Sequence, residues 1–469
     1  MSIVRFNQLR YDKVVEIEQI EVESTNRPDV THKYRKALFF LIREGLVRTL
    51  DKIRSKKDKE FSTSNYLTKI VVSHQGENLV NYSTQTSREK DHFVVDNRFY
   101  KYDGEIFGET LHYNQYCRAE TAGRTYYELA VEESTTAPVK EDKGVFVYGL
   151  GDYSRVYIAP NLSKSAKMFC VDYSYQLAKN YAEKFGYKNF GLVPKDSYPY
   201  LENTVYPLAI IATYHSDHTR IAKEIFKKNE DTIIFIEKPP CVTITDIDDL
   251  IGLYNSGAKL EIGYNRRYIP ICRTIRKRIF QHQKVITISV KEILISKNHW
   301  YFWENQGTRI TGNLTHWIDL SNYWIKGHPI EINLLDSNSE DETLSASILY
   351  SEGSLVNLTV SDKGNSLRGV QEFIEIRTKD ETYFIKDFVS VTTYHKTGKK
   401  SISKKRIRNK GHDKMYIDLL STYKNRARAF YEKEDMIKTG LTTFFMSKMY
   451  RENIRNLNIA RDMDVYLKK

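Results

Sequence analysis

Apolar residues fall into short blocks along the chain, and the spacing of those blocks changes near residue 140. From there Gly144–Gly149, Lys167–Asp172, Leu208–Thr213, Thr232–Ile236 and Lys259–Tyr264 are short and largely apolar, as strands buried on both faces of a parallel sheet are. Amphipathic stretches separate them: one running through Phe185, then Ser216–Lys228 and Thr245–Ser256. Strands alternating with helices at this spacing predict a doubly wound parallel α/β sheet of the Rossmann type. Beyond Arg266 the texture changes again. A helix over Tyr268–Gln281 leads into Val285–Ile295, Leu344–Ser351, Ser354–Ser361, Phe373–Lys379 and Thr382–Thr392, with turns such as Ser351-Glu352-Gly353 between them. These segments predict a large, mainly antiparallel sheet in an α+β domain, closed by a helical region over Met415–Leu467.

The first part of the chain reads differently. Lys13–Glu23 is strand-like, Thr31–Asp58 is basic and helical with Gly45 interrupting it, and short strands then alternate with polar turns. Ser134–Lys143 reads as a linker. The expected division is therefore a β-rich amino-terminal domain over 1–138 with a helical insertion, a Rossmann domain over 139–265, and an α+β domain over 266–469. A chain of 469 residues exceeds one ordinary core, which agrees with several domains.

Composition narrows the class. No apolar run reaches the roughly 20 residues of a membrane span, and MSIVRFNQLRYDK has neither an apolar signal region nor a cleavage site, so a cytoplasmic protein without membrane contact is expected. Cys117, Cys170, Cys241 and Cys272 show no paired spacing, so neither a disulfide framework nor a metal site is expected. The net charge of +12 is concentrated in HKTGKKSISKKRIRNKGHDK, from His395 to Lys414. Few aromatics interleave with that run, and the 34 tyrosines are spread along the whole chain, so a solvated loop or strand edge is the expected reading and nucleic acid the minor one.

Candidate chemistry sits where predicted strands end. Thr232–Ile236 delivers Glu237, Lys238, Pro239 and Pro240 at its carboxyl end, the edge where open α/β sheets bind ligands. A lysine there can orient or protonate a carbonyl. The first strand of the α/β part runs into Gly149, Leu150, Gly151, Asp152, Tyr153 and Ser154, a GxGxxS form of the dinucleotide fingerprint. Two glycines allow a tight turn and close approach of backbone to a pyrophosphate, and the N–H groups opening a following helix can bind it. Asp172 ends the next strand, about 20 residues on, where a carboxylate accepts the ribose hydroxyls. No arginine follows it to meet a 2′-phosphate, so NAD is expected over NADP.

The ordered motifs GLGDYS, CVDYS, IIATYHSDHTRIA, FIEKPP, EIGYNRRYIP and GNLTHWIDL, over roughly residues 143 to 330, resemble the Gfo/Idh/MocA family of NAD(P)-dependent sugar and cyclitol oxidoreductases. Further on, Asp387-Phe388 and Lys410-Gly411-His412 are similar to the carboxyl-terminal signature of its bi-domain subgroup, which is associated with polysaccharide biosynthesis. The resemblance implies that Thr213, His215 and His218 border the nicotinamide ribose, and that Glu237 and Lys238 are the EKP motif, with a cis Lys-Pro peptide and the lysine near nicotinamide and substrate. It also implies that His316 and Asp319 are the histidine and aspartate of the substrate cleft. Many members carry an aspartate four residues before that histidine; here Gly312 and then Asn313 stand at that point, which leaves His316 as the proton acceptor.

Tyr264, Asn265, Arg266 and Arg267 follow a strand at the domain junction, and Arg309 precedes the histidine motif; arginine forks could bind a substrate phosphate or carboxylate. His299 to Trp303 could stack on a sugar or base but is more often core. With Asn313, His316 and Asp319, Tyr264, Asn265, Arg266 and Arg309 form the expected substrate set. The expected function is transfer of a hydride between NAD and a secondary alcohol or ketone of a sugar, nucleotide-linked, in a homo-oligomer. The alternative is a non-catalytic scaffold that kept the fold, suggested by Gly312 and by an amino-terminal part too short for a complete alcohol-dehydrogenase-like unit.

Overall fold

The computed structural model describes residues 139–469, apart from 163–166, 173–174, 192–193, 293–306, 337–342, 362, 364–369, 406 and 426–430. Before residue 139 it describes the backbone of ten strands and a few helical positions, among them the strand Lys13–Glu21. Most of the predicted helix Thr31–Asp58 and the first half of the linker lie outside the described residues, as does the aromatic group His299 to Trp303.

Numbered from Glu141, six strands form one parallel sheet: β1 (Glu141–Tyr148), β2 (Lys167–Val171), β3 (Asn189–Gly191), β4 (Thr204–Ile211), β5 (Ile233–Ile236) and β6 (Lys259–Ile262). Their order is β3-β2-β1-β4-β5-β6, the doubly wound Rossmann arrangement, whose reversal between β1 and β4 opens a crevice at the carboxyl edge. The apolar blocks are explained by burial on both sides. Phe146 and Tyr148 join one core while Val145 and Val147, pointing the other way, join a second. Helices α1 (Tyr175–Phe185), α2 (His218–Lys228) and α3 (Ile244–Asn255) make the crossovers. Thr243 opens α3 with a reciprocal capping box to Asp246, which fixes where the β5 loop ends. The short β3 was not anticipated; three residues give no periodicity to read.

The second sheet has nine strands: β7 (Val285–Lys291), β8 (Pro329–Asp336), β9 (Leu344–Tyr350), β10 (Leu355–Ser361), β11 (Gln371–Arg377), β12 (Glu381–Lys386), β13 (Ser390–His395), β14 (Lys400–Lys404) and β15 (Asn456–Asn458). Its order is β14-β13-β12-β11-β7-β10-β9-β8-β15, and only β7 and β10 pair in parallel. Buried and half-exposed positions alternate strictly along β9 and β10, so one face is core. The predicted strand Thr382–Thr392 is two strands. Asp387 and Phe388 both take φ of 52° in a turn closed by the Val389 amide on the Lys386 carbonyl. That is the backbone of a tight hairpin turn, made here without the Asn-Gly pair that would signal it, because Phe388 is anchored in the core and Asp387 is held by Arg408 at 3.1 Å.

Helices α4 (Pro270–Ile279), α5 (Thr315–Trp324), α7 (Lys433–Glu452) and α8 (Ala460–Leu467) complete the layer beside this sheet. Helix α6 (His412–Asn425) does otherwise: its Met415, Tyr416, Leu419 and Tyr423 pack in the core that holds Val145, Val147 and Phe235. The carboxyl-terminal chain thus returns to cover the parallel sheet. No described helix is long and apolar enough to cross a membrane.

The two sheets are joined through buried ions. Arg267, in the turn after β6, donates its Nε to both carboxylate oxygens of Asp319 on α5 at 2.9 and 2.8 Å, and also pairs with Asp435 on α7. Asp319 is fully buried, so Asp319→Ala leaves Arg267 short of a counter-charge in a dry site. A loss of about 3–5 kcal/mol is expected, read as a lower urea midpoint; an unchanged midpoint would contradict the assignment.

Candidate functional site

Backbone hydrogen bonds of the parallel sheet continue one residue beyond the strands. Gly149 N–H reaches Val171 O, Ala212 N–H reaches Tyr148 O, Glu237 N–H reaches Ile211 O and Gly263 N–H reaches Ile236 O, all between 2.7 and 2.9 Å. The loops after β1, β4, β5 and β6 therefore leave the sheet side by side, and the candidate residues of the parallel half lie on them or just beyond, apart from Asp172 at the end of β2.

Gly149 is required at its position. Its φ is +88°, and a Cβ there would lie 2.3 Å from the carbonyl oxygen of Ala212. Gly151 differs: it is exposed and nothing stands within 4 Å of where its Cβ would be, so the turn has open space above it. Asp172 accepts a 2.9 Å hydrogen bond from the Leu150 N–H, which sets its carboxylate beside the turn. Ser154 is buried and donates to Gly149 O, pulling the turn closed. Asp152 is exposed and pairs with Arg155. The helix expected after the fingerprint is short, a π turn over Ser154–Ile158 followed by a 3-10 turn over Ala159–Asn161. Pro160 and the turn residues after it stop it.

The β4 and β5 loops are pinned together by His218. Its Nδ1 is 2.8 Å from Pro239 O and its Nε2 3.1 Å from Thr213 O. Two carbonyls favour the doubly protonated ring, but burial is the larger influence and holds His218 below the ordinary histidine range. His218 is therefore placed inside the loops and not at their surface; His215, also buried, has its ring 5.9 Å away. Thr213 stays half-exposed in the loop mouth.

The Lys238-Pro239 peptide is cis, and Lys238 Nζ donates to Gly312 O at 2.7 Å. That bond crosses from the β5 loop to the turn preceding α5, the turn that carries Asn313 and leads to His316. Burial lowers the Lys238 pKa, with the Arg266 charge adding to it, while Glu237 and Glu292 oppose. Glu237 is pushed up by burial and drawn down by hydrogen bonds from Tyr416 and Tyr153 and by the Lys238 charge. His316 is held well below the usual histidine range, first by burial and then by Arg266, Lys238, His412 and Lys410. Its Nδ1 is buried with no hydrogen-bond partner. The ring stands edge-on to Tyr264, whose hydroxyl pairs with Thr315 Oγ1 at 2.7 Å. Lys238, His316 and Tyr264 are thus brought together, with Asn313 next to the carbonyl that Lys238 holds.

The remaining candidates have partners within the protein. Arg266 forks onto Glu372 within the protein and lies over Trp317 at 4.7 Å; Arg309 gives its Nη2 to Glu292 at 2.9 Å. Both forks hold protein carboxylates where a substrate anion was expected, because a buried guanidinium needs a counter-charge whether or not a ligand is bound. Asp319 is turned to Arg267 and Tyr431. Asn265 donates to Lys410 O at 2.6 Å, and its Oδ1 is a buried atom without a partner. The basic run forms β14 and the turns around it, with Lys396 paired to Asp380 at 2.6 Å. Residues that sequence reasoning did not place here are Glu372 and Glu292, and from the carboxyl-terminal chain His412 and Tyr416. His412 stacks on Tyr157 with ring centres 4.4 Å apart. Only Lys410-Gly411-His412 carried a signal, as a motif without a location.

No family model matches the sequence, and no curated protein matches it. Solved structures do match in fold. A probable dehydrogenase from Thermotoga maritima is similar at a TM-score of 0.55 and 17% identity, over 68% of this chain and 99% of that one. Levoglucosan dehydrogenase in complex with NADH and L-sorbose is similar at 0.57 and 13%, over 68% and 99%. UDP-N-acetylglucosamine 3-dehydrogenase from Acidithiobacillus ferrooxidans is similar at 0.54 and 15%, over 64% and 95%. This chain shares the fold of these structures, a Rossmann domain joined to a second domain built on a large, mainly antiparallel sheet. Nearly the whole length of each of these enzymes is covered, and about a third of this chain lies outside the likeness.

The depressed histidines fix a pH dependence. As pH falls below about 6.5 the unfolded chain takes up protons at His218 and His316 before the folded protein does. Stability that is full above that pH is then lost on acidification. His316→Asn should flatten the decline of urea midpoint between pH 7 and 5.5, and an unchanged slope would contradict the buried neutral ring.

Proposed function

We propose that the chain is an NAD-dependent oxidoreductase that transfers a hydride between nicotinamide and a secondary alcohol or ketone of a sugar. The observation that carries this is the 2.7 Å bond from Lys238 to Gly312 O, because it fixes a lysine at the carboxyl edge of a Rossmann sheet against the turn that leads to a neutral, unpartnered histidine. The likeness to a levoglucosan dehydrogenase holding NADH and to a UDP-N-acetylglucosamine 3-dehydrogenase supports the cofactor and a sugar.

The residues present fit a dinucleotide. Gly149 and the open space above Gly151 leave room for a pyrophosphate against the backbone, and Asp172, anchored on Leu150, would receive the adenosine ribose. A carboxylate there repels a 2′-phosphate, which favours NAD over NADP. Thr213 and the β4 loop would border the nicotinamide end, opposite Lys238. Bound nicotinamide supplies the hydride acceptor or donor.

In the oxidative direction His316 takes the hydroxyl proton as the carbon loses hydride, and a ring already neutral is ready to do so. Lys238 orients the same oxygen and stabilises charge on it, replacing in part its present bond to Gly312 O. Asn313 and Tyr264 line the sugar's side of the cleft. Gly312 stands where many enzymes of this resemblance have a carboxylate, so proton transfer rests on His316 and Lys238. A nucleotide-linked sugar, as in polysaccharide or glycoconjugate biosynthesis, is the substrate class we propose.

Titration of the full chain with NADH, followed by nicotinamide fluorescence, should show saturable binding that Gly151→Trp removes by filling the open space over the turn. Lys238→Ala and His316→Ala should keep that binding and lose turnover by about 10²–10⁴-fold. Absence of NADH binding by the folded wild-type protein would overturn the reading.

A further inference from the structure

Helix α6 brings one side chain from the far end of the chain to the Glu237-Lys238 turn. Tyr416 Oη donates to Glu237 Oε1 at 2.7 Å, while the other oxygen, Oε2, receives the Lys238 backbone N–H at 3.3 Å. Tyr416 is fully buried, with its ring 5.5 Å from Phe235 of β5, and Tyr153 of the fingerprint turn lies near enough to influence the ionisation of Glu237 and Tyr416. The carboxylate sits against Gly263, where a Cβ would lie 2.7 Å from Glu237 Oε2; only glycine leaves that room. A buried carboxylate, one residue from Lys238, is thus held by a phenol drawn from a distant segment.

We propose that Tyr416 is a positioning residue that acts through Glu237 to set the charge state of Lys238. The inference rests on the reading of Lys238 as the residue that meets the reacting oxygen. The hydroxyl stabilises the ionised form of Glu237, and ionised Glu237 in turn stabilises ammonium on Lys238 against burial and against the Arg266 charge. The groups that face this pair are Tyr153 from the fingerprint turn, Tyr416 from α6, Arg266 after β6, Glu292 after β7 and His316 on α5. Removing one phenol leaves Glu237 Oε1 buried and short of a donor, so its proton is held to higher pH. Lys238 then loses a neighbouring negative charge and deprotonates at lower pH. A helix that reads as a lid over the parallel sheet therefore also tunes the cleft.

The test is competitive labelling of the full-length protein with acetic anhydride across pH 6 to 11, with acetylation at Lys238 read by mass spectrometry; it needs neither cofactor nor substrate. Tyr416→Phe keeps the ring in its packing and should shift the Lys238 labelling midpoint downward relative to wild type. Glu237→Gln should shift it in the same direction, and adding Tyr416→Phe to Glu237→Gln should shift it no further. Retained circular dichroism and urea midpoint within the Tyr416→Phe protein would show that the fold is kept; if it is not, the Tyr153→Phe protein provides the same comparison from the other phenol. A Lys238 midpoint unchanged in a folded phenol variant, or a further shift in the double variant, would overturn the inference. Failure of NADH binding would instead overturn the oxidoreductase reading and leave the labelling result standing.

Discussion

Register in the parallel sheet governs the site. Because β1, β4, β5 and β6 end together and their hydrogen bonding runs one residue further, Gly149, Ala212, Glu237 and Gly263 leave the sheet as neighbours. Each loop must then pass close to the next, and the close passages select residue type: Gly149 lies against Ala212 O, and Gly263 against the Glu237 carboxylate. A slip of one residue in β5 would turn Lys238 away from α5 and bury it against the sheet.

Charge burial is the second constraint. The junction holds Arg266, Arg267 and Arg309 with Glu372, Asp319, Asp435 and Glu292, nearly all of them buried. Such pairs contribute little net stability once desolvation is counted, yet leaving one partner alone is costly. They fix how the two sheets meet. Lys238 and His316 sit in the same region, where burial and the Arg266 charge push both toward their neutral forms.

Much of this was legible in the sequence. Strands buried on both faces announce themselves as uninterrupted apolar blocks, so the Rossmann half and the turn at Gly149 to Ser154 could be read directly, as could Lys238 at a strand end. The large second sheet was legible in part from alternation: Pro329–Asp336, Lys400–Lys404 and Asn456–Asn458 were not read as strands, and the turn at Asp387-Phe388 was missed because a core phenylalanine and a paired aspartate override the usual turn residues. Long-range pairing was not legible. Nothing in local pattern tells a free arginine fork from one that holds Glu372 about a hundred residues away, and nothing in the amphipathic pattern of α6 says which sheet it will cover. Tyr416 and His412 were missed for that reason.

The most direct measurement is a crystal structure of the protein soaked with NAD⁺. The account predicts a dinucleotide whose pyrophosphate crosses the turn at Gly149 to Gly151, whose adenosine ribose meets Asp172, and whose nicotinamide C4 faces the space between Lys238 and His316. A dinucleotide bound elsewhere, or a nicotinamide ring held away from both of those side chains, would contradict it.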